Sequence, residues 1–453
     1  MTQRTLLVPI AAWLVAASMA PQASASGFQL REQSPSAQGT SFAGVTAGGP
    51  DIGSMFFNPA TMTQFEGREI VAGFSYVMPK AELRDAEARR ATALGGALIG
   101  RDDSVPNSAK SALLPNLYAM WSLKPDLKLG LSVNAPFGMV TDYDSTFVGQ
   151  YHALKSDLKV VDIAPSIAYR VNPQWSIGAA FVARKVEAEL TNAADFGAFA
   201  PGPPPPGVLD GKAGLKGSKW GYGYRLGVVF QPNDTVRIGL AHHGAMTIKL
   251  KGDATFEFAA GTPGGLISSL QAAGYVNGGA SAKLNLPSTT SLGIHAEITP
   301  TISLQGEIAR TGWSSFKELR VDFDGTLADS VTNEKWRDTW FLAAGLTWKA
   351  TDAWTFRTGL AYDQSAVKDK FRTPRIPDGN RTWVSLGAGY AFSKRASVDC
   401  AYTHIFVADG PVDLKAVEDG YTFATSPSRA RGNLNGTYKN SIDIFSVQAR
   451  FTF

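Results

Sequence analysis

Between residues 353 and 364 the chain reads AWTFRTGLAYDQ. Trp354, Phe356, Thr358, Leu360 and Tyr362 fall on one phase, and Thr355, Arg357, Gly359, Ala361 and Asp363 on the other. A period of two belongs to a β-strand, whose successive side chains point to opposite faces. The same alternation recurs along the chain in segments of roughly 10 to 16 residues, the length of tilted membrane strands. It predicts strands near 68–82, 110–123, 127–140, 156–170, 175–189, 218–231, 235–250, 284–298, 302–321, 336–349, 354–365, 381–392, 396–408 and 438–453.

Two kinds of connection separate these strands. KPD (124–126), NPQ (172–174), QPND (231–234), TPT (299–301), ATDA (350–353) and FSKR (392–395) carry tight-turn chemistry. They alternate with long, polar or irregular stretches near 83–109, 141–155, 190–217, 251–283, 322–335, 366–380 and 409–437. Short turns on one side and long loops on the other are the rhythm of an outer-membrane barrel. The pattern therefore predicts an all-β fold, a transmembrane antiparallel β-barrel of about 14 strands in the bacterial outer membrane. Its terminal strand, FSVQARFTF, puts Phe445, Val447, Ala449, Phe451 and Phe453 on one phase. The aromatic phase should face lipid, with Trp348 and Trp354 at an interfacial girdle.

Two segments precede the barrel assigned to 67–453. Residues 1–25 read as a signal peptide, with Arg4, an apolar stretch over 6–20 and the small-residue site Ala23-Ser24-Ala25. Residues 26–66 lack sustained alternation and are rich in Gly, Ser and Ala, yet Phe28, Phe42, Phe56 and Phe57 argue against disorder. They are read as a hatch folded into the lumen.

Composition removes other classes. Only 18% of the 453 residues are charged, and the net charge of +4 is dispersed, so no electrostatic footprint for nucleic acid is present. The single cysteine, Cys400, allows no intrachain disulfide, and neither a metal site nor a cofactor site is expected. His152, His242, His243, His295 and His404 are scattered, no GxSxG or HExxH string occurs, and the adjacent pair must face opposite sides of a strand. No enzyme is predicted.

SGFQL (26–30), Asn58-Pro59-Ala60, LNLPSTTSLGI (284–294) with TGWSSFKELRV (311–321), and WTFRTGLAYDQSAV (354–367) with RIPDGNRTWVSLGAGYAF (375–392) follow one another in an order that resembles the FadL family of outer-membrane transporters of hydrophobic compounds, its TodX-like members included. The resemblance runs from the mature N-terminus to the last strand. It implies passive uptake of long-chain fatty acids, or of aromatic hydrocarbons in some relatives, through a monomer. Ligand is captured in an extracellular groove, held in a pocket inside the barrel, and released sideways into lipid at a kink in the third strand.

Several residues fit these parts. In SVNAPFGMV (132–140), Pro136 has no ladder donor and Gly138 no side chain, so the strand should bend or open between Asn134, Phe137 and Gly138. The resemblance implies a gap there, with Asn58, Pro59 and Ala60 against it; a bulge is the plainer reading. The loop FEFAAGTPGGLISSLQAAGYV is unusually apolar, and Leu266, Ile267 and Leu270 would form one side of a short helix facing a groove or packing the loop. PGPPPPG (201–207) reads as a stiff spacer. A carboxylate ligand needs a cation in the lumen, and phase turns Arg184, Arg337, Arg357, Asp363 and Arg381 inward. The resemblance implies Arg184 and Arg337 near the headgroup and Phe28 at the ligand tail; a structural ion network is the alternative. The rival function, a general diffusion porin, needs an open polar channel, against which the apolar loop and the Phe-bearing hatch argue.

Overall fold

The computed structural model describes residues 27–100 and 103–453. The predicted leader 1–25 lies outside the described residues. Fourteen antiparallel strands form one closed sheet, six of them interrupted once. They are β1 (Arg68–Arg89), β2 (Ala112–Lys124), β3 (Leu127–Asn134 and Gly138–Asp142), β4 (Lys155–Arg170), β5 (Trp175–Asp195), β6 (Asp210–Phe230), β7 (Val236–His243 and Met246–Glu257), β8 (Gly278–Leu286 and Thr289–Glu297), β9 (Ile302–Thr311 and Glu318–Phe323), β10 (Ser330–Asn333 and Thr339–Lys349), β11 (Trp354–Asp363), β12 (Arg381–Ser393), β13 (Ala396–Val407 and Gly410–Leu414) and β14 (Asn433–Thr452). Each pairs with its sequence neighbour, and β1 closes on β14 from Glu69 opposite Thr452 to Arg89 opposite Asn433. Closure leaves no lipid-exposed sheet edge, which hydrocarbon would not tolerate.

The alternating faces point as the pattern demands. On β11, Trp354, Phe356, Leu360 and Tyr362 are exposed while Arg357, Gly359, Ala361 and Asp363 are buried. Phe445 and Phe451 of β14 are exposed too, as is Phe453 just beyond it. Several strands outrun their predicted ends: β5 reaches Asp195, β6 begins at Asp210 and β7 reaches Glu257. The predicted long loops are thus partly extended hairpins standing above the membrane.

Residues 28–64 lie almost wholly buried against the inner faces of the wall. They form the short helix Pro35–Gln38 and the 3-10 turns Val45–Ala47, Ile52–Phe56 and Pro59–Gln64. Such short pieces keep backbone groups bonded where no strand can form. The polar groups are matched to the wall: Ser41 Oγ donates to Ser385 Oγ at 2.7 Å, Gln448 Nε2 to Asp51 Oδ2 at 2.6 Å, and Thr46 N to Glu307 Oε2 at 3.2 Å.

Asn58, Pro59 and Ala60 do not sit against the β3 kink as expected. Asn58 Nδ2 donates to Thr46 O at 2.7 Å and to Val228 O of β6 at 3.0 Å, while its Oδ1 caps the following turn by accepting from Ala60 N at 2.9 Å. The triplet is bound to β5 and β6, where Gly178 and Gly227 leave room; a Cβ at Gly227 would overlap Asn58 Oδ1. Gly227→Val should therefore unseat this turn and raise small-ion conductance of the purified barrel in planar bilayers. Unchanged conductance in a correctly folded variant would mean that the turn does not help to close the lumen.

Candidate ligand pocket and lateral opening

The site begins with a break in the wall. β2 and β3 pair from Lys124 opposite Leu127 up to Leu117 opposite Val133, and above that only the Ala109–Thr141 bridge joins them. On the other side β3 pairs with β4 through Asn134 opposite Asp162 and resumes at Gly138 opposite Lys159. Residues 135–137 leave both ladders. Pro136 accounts for the break, since it has no N–H to donate and fixes its own φ.

Buried backbone groups left without partners would cost about 1–3 kcal/mol each. Here the N-terminal segment supplies the partners. Leu30 N donates to Pro136 O at 2.8 Å and Gly138 N donates to Phe28 O at 2.9 Å, so residues 28–30 act as an inner rung opposite the kink. The Gln33 side chain closes the lower end, donating to Ala135 O at 2.8 Å and accepting from Ala135 N at 3.2 Å. Asn134 Nδ2 donates to Tyr118 Oη at 2.7 Å, and that hydroxyl donates to Gln33 O.

Above this rung lies an apolar cavity of ≈ 70 Å³, lined by Phe28, Met139, Leu158, Leu190, Leu215, Leu250, Leu284, Phe316, Leu319 and Ile376 among others. Lys251 and Lys283 also belong to its wall, where they alternate with the buried Leu250 and Leu284. Phe28 forms the floor inside a box of rings, with centroids 4.7 Å from Trp313, 5.5 Å from Trp336, 5.8 Å from Phe316 and 6.1 Å from Phe137. Phe137 belongs to the kink, so pocket floor and wall break share one aromatic cluster. Beneath the N-terminal segment a second chamber of ≈ 370 Å³ carries charged groups, with Arg237, Glu297, Lys349, Asp352 and Arg357 in its lining.

Arg184 is where the reading placed it, buried and inward. Its guanidinium donates to both oxygens of Asp162 at 2.6 and 2.7 Å and lies over the Phe137 ring, 4.8 Å from its centroid. Arg225 donates to Asp162 Oδ2 at 2.6 Å and lies 4.2 Å from the Phe56 centroid. Two guanidiniums thus share one carboxylate, leaving positive charge one ring away from the pocket floor. Asp162 and Arg225 were missed, although both sit on the inward phase of β4 and β6 and the same test would have found them.

Other expected pocket residues lie elsewhere. Arg337 does not line the cavity: half-buried in the connection within β10, it donates from Nε to Ser365 O at 2.9 Å. Lys335, at φ 43°, interrupts the alternation just before it, and the ring that packs on Phe28 is that of Trp336. Asp363 and Arg381 stand opposite each other on β11 and β12, but they also miss the cavity. Arg381 pairs with Asp378, whose other oxygen accepts from Gly27 N at 3.0 Å, so this group tethers the N-terminal segment. Leu266, Ile267 and Leu270 do fall on one helix, Gly264–Ala272, with Leu270 buried and the other two half-buried; none lines the cavity. His243 and His242 face opposite sides, His243 Nε2 lying 3.0 Å from Phe57 O and His242 Nδ1 2.9 Å from Thr290 Oγ1.

Comparison with known proteins adds a family and close folds. The family profile described as outer membrane protein transport protein (OMPP1/FadL/TodX) matches residues 16–453. A long-chain fatty acid transport protein of Salmonella typhi is 29% identical over 444 residues, covering 94% of this chain and 99% of its own. The crystal structure of a Pseudomonas aeruginosa FadL homologue superposes with a TM-score of 0.84 at 25% identity, covering 94% of this chain and all of that one. The Pseudomonas putida toluene transporter TodX shares the fold, with a TM-score of 0.65 at 16% identity over 95% of this chain and all of that one.

Above the membrane-spanning part, Trp336 Nε1 donates to Glu334 Oε2 at 2.9 Å, holding the outer side of the ring box. Burial pushes the Glu334 carboxyl up to about 8, more than this hydrogen bond lowers it. A carboxyl whose folded pKa is raised contributes stability fully below its unfolded pKa and loses it as pH rises through the folded value. Between about pH 4.5 and 8 the thermal midpoint of the purified protein should therefore fall, and Glu334→Gln should flatten that fall. An identical slope in wild type and variant would assign the pH dependence to other groups.

Proposed function

The chain belongs to the outer membrane protein transport family (OMPP1/FadL/TodX), and from that premise we propose that it takes up long-chain fatty acids passively and releases them sideways into the membrane through the β3 break. The observation that carries this reading is the shared aromatic cluster, in which Phe28 is both pocket floor and partner of the kink. A ligand that fills the cavity presses on the residue whose carbonyl holds Gly138. Moving it frees the backbone at residues 135–137 and opens the wall towards lipid. The polar chamber below supports the sideways route, because an apolar chain loses its burial by entering it.

Fatty acid is favoured over a neutral hydrocarbon by the surplus charge at Arg184 and Arg225. A carboxylate reaching past Phe137 would gain charge-assisted hydrogen bonds there without having to displace Asp162. Residues 27–66 act as the hatch that closes the lumen, and the apolar helix Gly264–Ala272 gathers ligand outside. The barrel works as a monomer, since a lateral opening must face lipid.

Two experiments test this reading. Arg184→Gln, which keeps Asp162 paired with Arg225, should weaken binding of oleate to the purified protein by about tenfold, the scale of one charge-assisted hydrogen bond, and leave toluene binding unchanged. Equal losses for both ligands would make Arg184 scaffolding. Filling the kink with Pro136→Val and Gly138→Val should slow fatty-acid uptake by cells while the barrel still reaches their surface. Undiminished uptake by the assembled variant would rule out exit at this break.

A further inference from the structure

Cations on the outer wall mostly stand beside carboxylates. Arg310 Nη2 is 2.6 Å from Asp338, Lys155 Nζ is 3.0 Å from Glu189, and Lys439 pairs with Asp409. Three adjoining strands depart from this rule. The side chains of Lys216 of β6, Lys249 and Lys251 of β7, and Lys283 of β8 make no ion pair or hydrogen bond among the described residues. All four are exposed, and they alternate with the buried Ile248, Leu250, Ala282 and Leu284, so their side chains project outward. Lys249 stands directly opposite Lys283 in the ladder, an arrangement of like charges that destabilises a sheet unless something anionic lies between them. By register, Glu189 and Asp253 stand opposite Lys216 and Asp322 opposite Ser281, three acids for four lysines, and Glu189 is already held by Lys155.

Height along the barrel identifies what faces these side chains. From Phe230 to the exposed Trp220, β6 climbs ten residues. At ~3.3 Å per residue and a tilt of about 40° that is about 25 Å, the height of a barrel's apolar band. Trp220, with Lys185 Nζ 5.9 Å from its ring centroid, therefore marks the upper aromatic girdle. Lys216 stands four residues beyond it, about 10 Å higher, and a lysine stem reaches back over much of that distance. Below the lysines, Tyr222, Leu240 and Leu292 offer an apolar wall to acyl chains.

We propose that Lys216, Lys249, Lys251 and Lys283 form a binding site on the outer wall for the phosphate of an anionic lipid headgroup in the outer leaflet. Ammonium groups serve phosphate as point charges, and basic residues at the membrane surface attract anionic lipid in proportion to their number. The apolar wall directly beneath selects an amphiphile over free phosphate. The site lies away from the opening between β2 and β3, where Lys110 is already paired with Asp142 at 3.8 Å.

The test uses the full protein in detergent, offered dioleoyl phosphatidic acid or dioleoyl phosphatidylcholine, with bound lipid read by native mass spectrometry. Phosphatidic acid should be retained in preference, less so at high salt. The triple variant K249Q/K251Q/K283Q should bind it about 100-fold more weakly, roughly fivefold per lysine, whereas K80Q/K439Q, which removes paired lysines, should bind as wild type does. Equal retention of the two lipids, or undiminished binding by a folded triple variant, overturns the proposal. Displacement of the lipid by an equal concentration of inorganic phosphate overturns the lipid assignment. If the triple variant does not fold, K283Q alone decides: a loss of about fivefold is expected, and no loss overturns the site.

Discussion

A membrane barrel must pair every backbone donor and acceptor of its wall within the protein, because hydrocarbon offers none. β3 breaks that requirement at residues 135–137, and residues 28–30 restore it from inside. Much of the remaining architecture follows from this repair. The N-terminal segment has to be held at the height of the kink, which Gly27 achieves at its upper end through Asp378 and Asn58 at its lower end through β6. The residue that carries the repairing carbonyl, Phe28, is also the pocket floor. The pocket floor and the continuity of the wall consequently rest on one residue.

Charge inside the barrel is arranged to the same end. Arg381 with Asp378 and Arg357 with Asp399 are matched one to one, and matched buried pairs hold position with no excess charge. Asp162 is shared by two arginines. Such an excess is costly in a low-dielectric interior, and it lies beside Phe137, the ring of the kink that packs on the pocket floor Phe28. The outer half of the lumen is accordingly apolar with a cationic edge, whereas the chamber on the periplasmic side mixes apolar residues with five arginines, lysines and acids named above.

Most of the wall was legible in the sequence because each strand reports its own two faces: Trp354, Phe356, Leu360 and Tyr362 needed no partner to show where lipid lies. What escaped was set by tertiary contact. The phase count was carried back from Trp340 beyond the strand's first residue, Thr339, into residues 334–338 that are not in the ladder, and so it turned Arg337 inward in place of Trp336. Only the family resemblance placed Asn58 at the kink, and its side chain is instead consumed by its own turn and by Val228. The polar extensions of β5, β6 and β7 resemble loops, since in water neither face of a hairpin has to be apolar. Asp162 and Arg225 were within reach and were overlooked.

All six interruptions of the wall lie far from the short turns, above unbroken segments of 8 to 12 residues. Across these breaks the register shifts in the β3–β4, β6–β7, β8–β9, β9–β10 and β13–β14 ladders, whereas β7 and β8 keep one register through theirs. The lower cylinder can therefore keep its closure and its hatch contacts while insertions, deletions or exchanges reshape the upper rim. Ligand range and surface identity can diverge between lineages without renegotiating the part of the molecule that has to fold in the membrane.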